Sequence, residues 1–233
     1  MDVAIPTADG TIGGYLTEPE HVTGPWPGVV VLHDVMGVHA DVKRITDRFA
    51  AEGYLAIAPN LYSRGGFVRC IRTVFRQLLA GSGQAHDDVD AARALLTGRA
   101  DCTGKVGVVG FCMGGGFALL AATREFDASA PYYGQLPDPL SILDGACPVV
   151  ASFGATDRLP GMRGATAKLA STLAGYDVPH DVKEYPGAGH SFANRIAPGP
   201  LNTLAKVARF GYHHEASEDA WRRVLAFFAT HLR

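Results

Sequence analysis

The sequence predicts an α/β protein in three layers, a mostly parallel central sheet with helices on both faces. Two observations carry that expectation. Short β-branched runs alternate with longer segments of helical period, the order that suits a parallel sheet covered on both sides. Four of the runs are almost continuously apolar, as strands buried on both faces should be.

The elements justify themselves in order. "MDVAIP" (1–6) and "TIGGYLTEP" (11–19), joined through Asp9 and Gly10, read as a hairpin leading into the sheet. "GVVVLH" (28–33) is the first buried strand, and "ADVKRITDRFAAEG" (40–53) has helical period and ends on glycine. "LAIAP" (55–59) is the next strand. In "GGFVRCIRTVFRQLLAG" (65–81), Val68, Ile71, Phe75 and Leu78 form an apolar stripe beside Arg69, Arg72 and Arg76. A helix is expected over 86–98, followed by the strand "KVGVVG" (105–110), then "APYYG" (130–134) and "PVVASFG" (148–154). "GMRGATAKLASTLAG" (161–175) is helical by period, "DVKEYP" (181–186) is the last strand, and the closing segment places Trp221, Leu225 and Phe228 on one helical face with Ser217 as the expected N-cap. No linker, repeat or low-complexity tract interrupts this order, so residues 1–233 are expected to form a single domain.

Composition removes several classes of function. In 233 residues, 21 Lys and Arg balance 23 Asp and Glu to a formal charge of −2, and no basic run offers the positive stripe that phosphate neutralisation needs. A nucleic-acid partner is not expected. No apolar stretch approaches the ~20 residues that cross a bilayer, and the opening residues lack a signal-peptide pattern. We therefore expect a soluble cytoplasmic protein without a membrane partner, and a monomer. The four cysteines, at 70, 102, 112 and 147, form no CxxC pair. His213 and His214 precede Glu215 without making an H-E-x-x-H pattern, so no metal is expected and both read as surface or helix-end residues. The glycines around 98–104 do not complete a P-loop, and no G-x-G-x-x-G follows the 105–110 strand. No cofactor is expected.

Cys70, Cys102 and Cys147 read as packed thiols, whereas Cys112 lies in a different setting. It directly follows a buried strand and precedes the helical "MGGGFALLAATR", within Gly110-Phe111-Cys112-Met113-Gly114. This is a nucleophile elbow with sulfur in place of the hydroxyl oxygen. A strand that reverses sharply into a helix strains its central residue and crowds the positions two away on either side, which therefore must be glycine. Amides of the helix N-terminus then point at the sulfur and favour negative charge there, with the Met113 N–H as the first candidate oxyanion donor. A thiol acting as acyl acceptor needs a base and a residue to orient it. His190 lies in the Gly-rich loop "EYPGAGHSFANR" after the last strand, and Asp157 lies just beyond the strand before it, which gives the order nucleophile, acid, histidine.

With "PGVVVLHDVMGV" (27–38), "ADVKRITDRFAAEGYLAIAPNLYSR" (40–64), "KVGVVGFCMGGG", "YYG" (132–134) and "GAGHSFANR" (187–195), this set resembles the dienelactone hydrolase family of the α/β-hydrolase superfamily across nearly the whole chain. The resemblance implies the three-layer α/β-hydrolase fold and a cofactor-free hydrolase of enol lactones or related esters, working through a Cys112–His190–Asp157 triad. It maps the second oxyanion donor onto the Val35 N–H. It also maps onto Asp34 a glutamate that in the family contacts the resting cysteine and swings away on substrate binding; here the side chain is one methylene shorter. Family members place an arginine near the region of Arg69 and Arg72, and another four residues past the histidine. Here that position is Asn194, with Arg195 one step on, so the carboxylate clamp is incomplete by motif. A broad carboxylesterase or thioesterase is the alternative within the class. A non-catalytic or redox-sensing protein using the same cysteine is the alternative outside it.

Overall fold

The computed structural model describes residues 1–195 and 211–233. Its centre is an eight-stranded sheet in the order β1-β2-β4-β3-β5-β6-β7-β8. β1 (Asp2–Thr7) and β2 (Gly10–Thr17) form the expected hairpin, and β2 pairs antiparallel with β4 (Leu55–Pro59). From β4 onward every pairing is parallel, through β3 (Trp26–Leu32), β5 (Cys102–Phe111), β6 (Ala128–Tyr132), β7 (Val149–Gly154) and β8 (His180–Tyr185).

Burial follows from position in this sheet. β4, β6 and β7 are buried at every residue, which favours apolar runs because water reaches neither face; the two buried serines, Ser129 and Ser152, are hydrogen-bonded to the Ala118 carbonyl and to Arg223. β8 lies at the edge, where burial is partial and Lys183 and Glu184 are exposed. Parallel neighbours need crossover helices, and these cover both faces. One face packs α1 (Ala40–Ala51) and the final helix α6 (His214–Leu232) in a cluster built on Phe49, Tyr54, Trp221 and Phe228. The other face packs α2 (Gly66–Ala80), α3 (Gln84–Thr97) and α4 (Met113–Ala121) around Leu32, Ile57, Leu96, Val108 and Phe117. α5 (Ala165–Gly175) covers the β7–β8 end with Leu169 and Leu173 fully buried.

Two helix starts differ from the sequence expectation. α5 begins at Ala165, because Gly161 (φ 84°) and Gly164 (φ 72°) are both left-handed and hold the chain out of a right-handed helix until the second is passed. α6 begins at His214: His213 is the cap, its Nδ1 accepting the Ala216 N–H, and Ser217 is buried in the first turn. An imidazole nitrogen can replace the usual hydroxyl or carboxylate acceptor, a substitution the standard capping pattern does not contain. Among the described residues no helix is long and apolar enough to cross a membrane.

Candidate active site

Three loops at the carboxyl ends of β5, β7 and β8 bring the candidate triad together, the position where open parallel sheets place ligands. Cys112 bridges β5 and α4 with φ 55° and ψ −114°, a conformation disfavoured for any residue with a Cβ. Packing maintains it. A Cβ on Gly110 would lie 1.9 Å from the Gly114 carbonyl oxygen, and one on Gly114 would lie 2.4 Å from the Leu32 carbonyl oxygen. Both approaches are to backbone, which has no rotamer to yield. The Cys112 N–H donates to the Tyr132 carbonyl at 3.1 Å, tying the bend to β6. Every residue of α4 is buried.

His190 and Asp157 meet across the neighbouring loops. His190 Nδ1 donates to Asp157 Oδ2 at 2.7 Å, with the two side chains 3% and 2% exposed. The other carboxylate oxygen accepts the Leu159 N–H at 2.9 Å, so Asp157 is fixed from both sides. Thr156 binds the histidine loop to the acid loop, its N–H and its hydroxyl both donating to the Ala188 carbonyl at 2.9 Å. Burial opposes charge on His190, but hydrogen bonds with Asp157 and Cys112 and the negative charge of both outweigh it, raising the imidazole to about 9. The ring thus joins the sulfur to the carboxylate, the arrangement a nucleophile, base and orienting acid require.

Asp34 lies close by in the β3–α1 loop, buried, with Oδ1 accepting the Met36 N–H at 2.8 Å and Oδ2 paired with His39 Nε2 at 3.2 Å. His39 Nδ1 accepts from the Asp41 N–H, which leaves Nε2 to carry the proton it donates to Asp34. That bond pushes the His39 imidazole up. Tyr62 and Tyr133 both border the site. Their phenols are raised well above the usual range, first by burial and then by the negative charges of Asp34 and Cys112. Tyr62 lies 3.1 Å from the Val35 carbonyl and 3.5 Å from the Met113 sulfur, so the two candidate oxyanion residues sit beside each other.

Arg69 and Arg72 are exposed on α2. Arg195 donates its N–H to Asp41 Oδ2 at 2.8 Å, while its guanidinium covers the Tyr212 ring at 4.9 Å and donates to its hydroxyl at 3.3 Å. Asn194 is fully buried, accepting from the Tyr133 hydroxyl and donating to Asp41 Oδ2 at 3.3 Å. Asp41 is thus a hub, holding α1 to the histidine loop, and its other oxygen receives the Arg44 guanidinium at 2.7–2.8 Å. Sequence reasoning read Asp41 only as part of a helix and attached no role to Tyr62 or Tyr133. "YYG" was the available signal for Tyr133, whose positive φ of 38° turns its ring to within 5.1 Å of the His190 ring.

A parallel sheet with helices on both faces, a strained residue at a strand–helix elbow and a buried histidine–carboxylate pair on the following loops define an α/β-hydrolase. The dienelactone hydrolase family model matches residues 12–232, and the chain belongs to that family. Two relatives provisionally named carboxymethylenebutenolidase illustrate the match. The one from Methylorubrum extorquens is 32% identical, covering 97% of this chain and 79% of the relative. The one from Yersinia pestis is 29% identical, covering 99% and 88%. Among solved structures, a provisionally assigned dienelactone hydrolase from Klebsiella pneumoniae superposes with a TM-score of 0.79 at 28% identity, covering 98% of this chain and 97% of the other. A dienelactone hydrolase-like promiscuous phosphotriesterase from metagenomic libraries reaches 0.82 at 23% identity over 100% and 99%, a likeness of fold alone.

Proposed function

We propose that this family member hydrolyses enol lactones or related carboxylic esters through a Cys112 acyl-thioester, with His190 as proton shuttle and Asp157 fixing its tautomer. The observation that carries the reading is the sulfur itself, held at φ 55° between two glycines no larger residue could replace and hydrogen-bonded to an imidazole that Asp157 anchors. Such strain persists where the surrounding structure maintains it, and a reactive site is where it is used.

The steps follow from the roles. Proton transfer to His190 leaves a thiolate, which attacks the substrate carbonyl carbon and forms the C–S bond. The carbonyl oxygen becomes an oxyanion between the Val35 and Met113 N–H groups; Met113 opens α4, so its N–H has no acceptor within the helix. Collapse breaks the C–O bond, and the leaving enolate or alkoxide takes the proton from His190. Water then gives a proton to His190 as it attacks the thioester carbon, and the C–S bond breaks to return the thiolate and release the carboxylic acid.

Cys112→Ala removes the nucleophile, so turnover of an activated aryl acetate should fall by at least ~10³-fold, and Cys112→Ser, which keeps the geometry with a weaker nucleophile, should lie between the alanine variant and the native chain. Undiminished hydrolysis by the alanine variant would refute the assignment.

A further inference from the structure

We propose that His33 is a positioning residue that aims the Val35 N–H, by clamping the peptide that carries it. The inference rests on the reading of Val35 as an oxyanion donor. His33 is the last residue before the β3–α1 loop turns away, and it is fully buried. Its ring spans two backbone groups. Nδ1 lies 2.7 Å from the Asp34 carbonyl oxygen, and Nε2 lies 3.2 Å from the Leu61 nitrogen.

These partners fix the tautomer without appeal to the rest of the site. A carbonyl oxygen can only accept, so the hydrogen sits on Nδ1; a backbone N–H can only donate, so Nε2 presents its lone pair to Leu61. Burial also disfavours a charged ring, and the imidazole is pushed below its ordinary value. The clamped carbonyl belongs to the Asp34–Val35 peptide. That unit is planar and trans, so holding its C=O in one direction holds the Val35 N–H in the opposite one. The Gly37 N–H adds a second donor to the same oxygen at 3.2 Å, and Tyr62 holds the next carbonyl, that of Val35, at 3.1 Å. Tyr62 is itself packed on the His33 ring, with centroids 4.9 Å apart. Two consecutive peptides are therefore pinned from one side, and His33 carries the shortest of these bonds. A donor aimed before the reaction need not reorganise as charge develops, which is where such groups contribute most.

The paired substitutions His33→Asn and His33→Gln separate this role from simple packing. Asparagine places an amide donor where Nδ1 sits, and glutamine places its amide near Nε2, leaving the Asp34 carbonyl without its ring donor. With an aryl acetate, H33Q should lose about 30-fold in kcat with KM within about twofold, and H33N should stay within about threefold of the native kcat. Alkylation of Cys112 by iodoacetamide, followed by peptide mass, generates no oxyanion and should proceed at the native rate in both. Either variant alone decides: H33Q with native kcat, or H33N with a 30-fold loss, overturns the clamp. An alkylation rate that falls in step with kcat also overturns it, showing a general disturbance of the site. Failure of the proposed function itself is recognised separately, by native turnover in C112A.

Discussion

The chemistry of single residues here is governed by which neighbours they cannot avoid. His190 is buried, which by itself would favour the neutral ring, yet Asp157 at 2.7 Å and the sulfur of Cys112 hold it protonated up to about 9. In the proposed mechanism an imidazolium protonates the leaving group during acylation, so kcat/KM should decline as pH rises through roughly 9. Asp157→Asn removes a carboxylate that favours the proton and allows the opposite tautomer. The descending limb should then move to lower pH and the plateau fall on the order of 10³–10⁴-fold. A pH–rate profile of D157N with an unchanged limb would mean that Asp157 does not set the histidine. Asp34 illustrates the same dependence on neighbours. Its carboxylate is held by the Met36 N–H and by His39.

At the scale of elements, the strand–helix elbow depends on contacts that sequence could foresee in kind but not in partner. The pattern Gly-x-Cys-x-Gly implied crowding at positions 110 and 114; the structure identifies what crowds them, the carbonyls of Gly114 and Leu32. Gly110→Ala must separate two backbone segments, which should cost at least ~3 kcal/mol of unfolding free energy in a urea titration and abolish turnover. A variant within ~0.5 kcal/mol of the native chain would show that the bend is looser than its geometry indicates. The strands of the sheet were legible because burial on both faces leaves a nearly continuous apolar run, as in "LAIAP" and, but for Ser152, "PVVASFG". Helix starts were less so. Ser217 carries a strong capping signal, but His213 caps α6 instead, and the two left-handed glycines before α5 look like ordinary helix residues in a periodicity reading. The hub of Asp41, Asn194 and Tyr133 was not legible at all, since it joins residues as far as 153 apart in the chain through side-chain atoms that leave no local pattern.

Across the whole molecule, the site and the stability of the fold are linked through protons. His190 titrates higher in the folded chain than its ordinary 6.5, so its contribution to stability is fully present below that value and is lost as pH rises through about 9. Unfolding free energy should therefore drop on the order of 3 kcal/mol between pH 6.5 and 9.5, and by less in D157N, where the bond that raises the histidine is gone. Equal slopes for the two proteins in denaturant titrations across that range would sever this link. The packing that supports the site is likewise shared by distant elements. Arg48 of α1 covers Trp221 of α6 at 4.2 Å and pairs with Glu218, while Asp41, two turns earlier on α1, holds the histidine loop. The proposed chemistry transfers an acyl group to the sulfur at the elbow. Rapid acid quenching during turnover of an activated aryl ester, followed by peptide mass mapping, tests it most directly. An acyl group on the peptide containing Cys112, removed by neutral hydroxylamine and absent from C112A, is the predicted result; turnover with the acyl group on another residue would contradict the account.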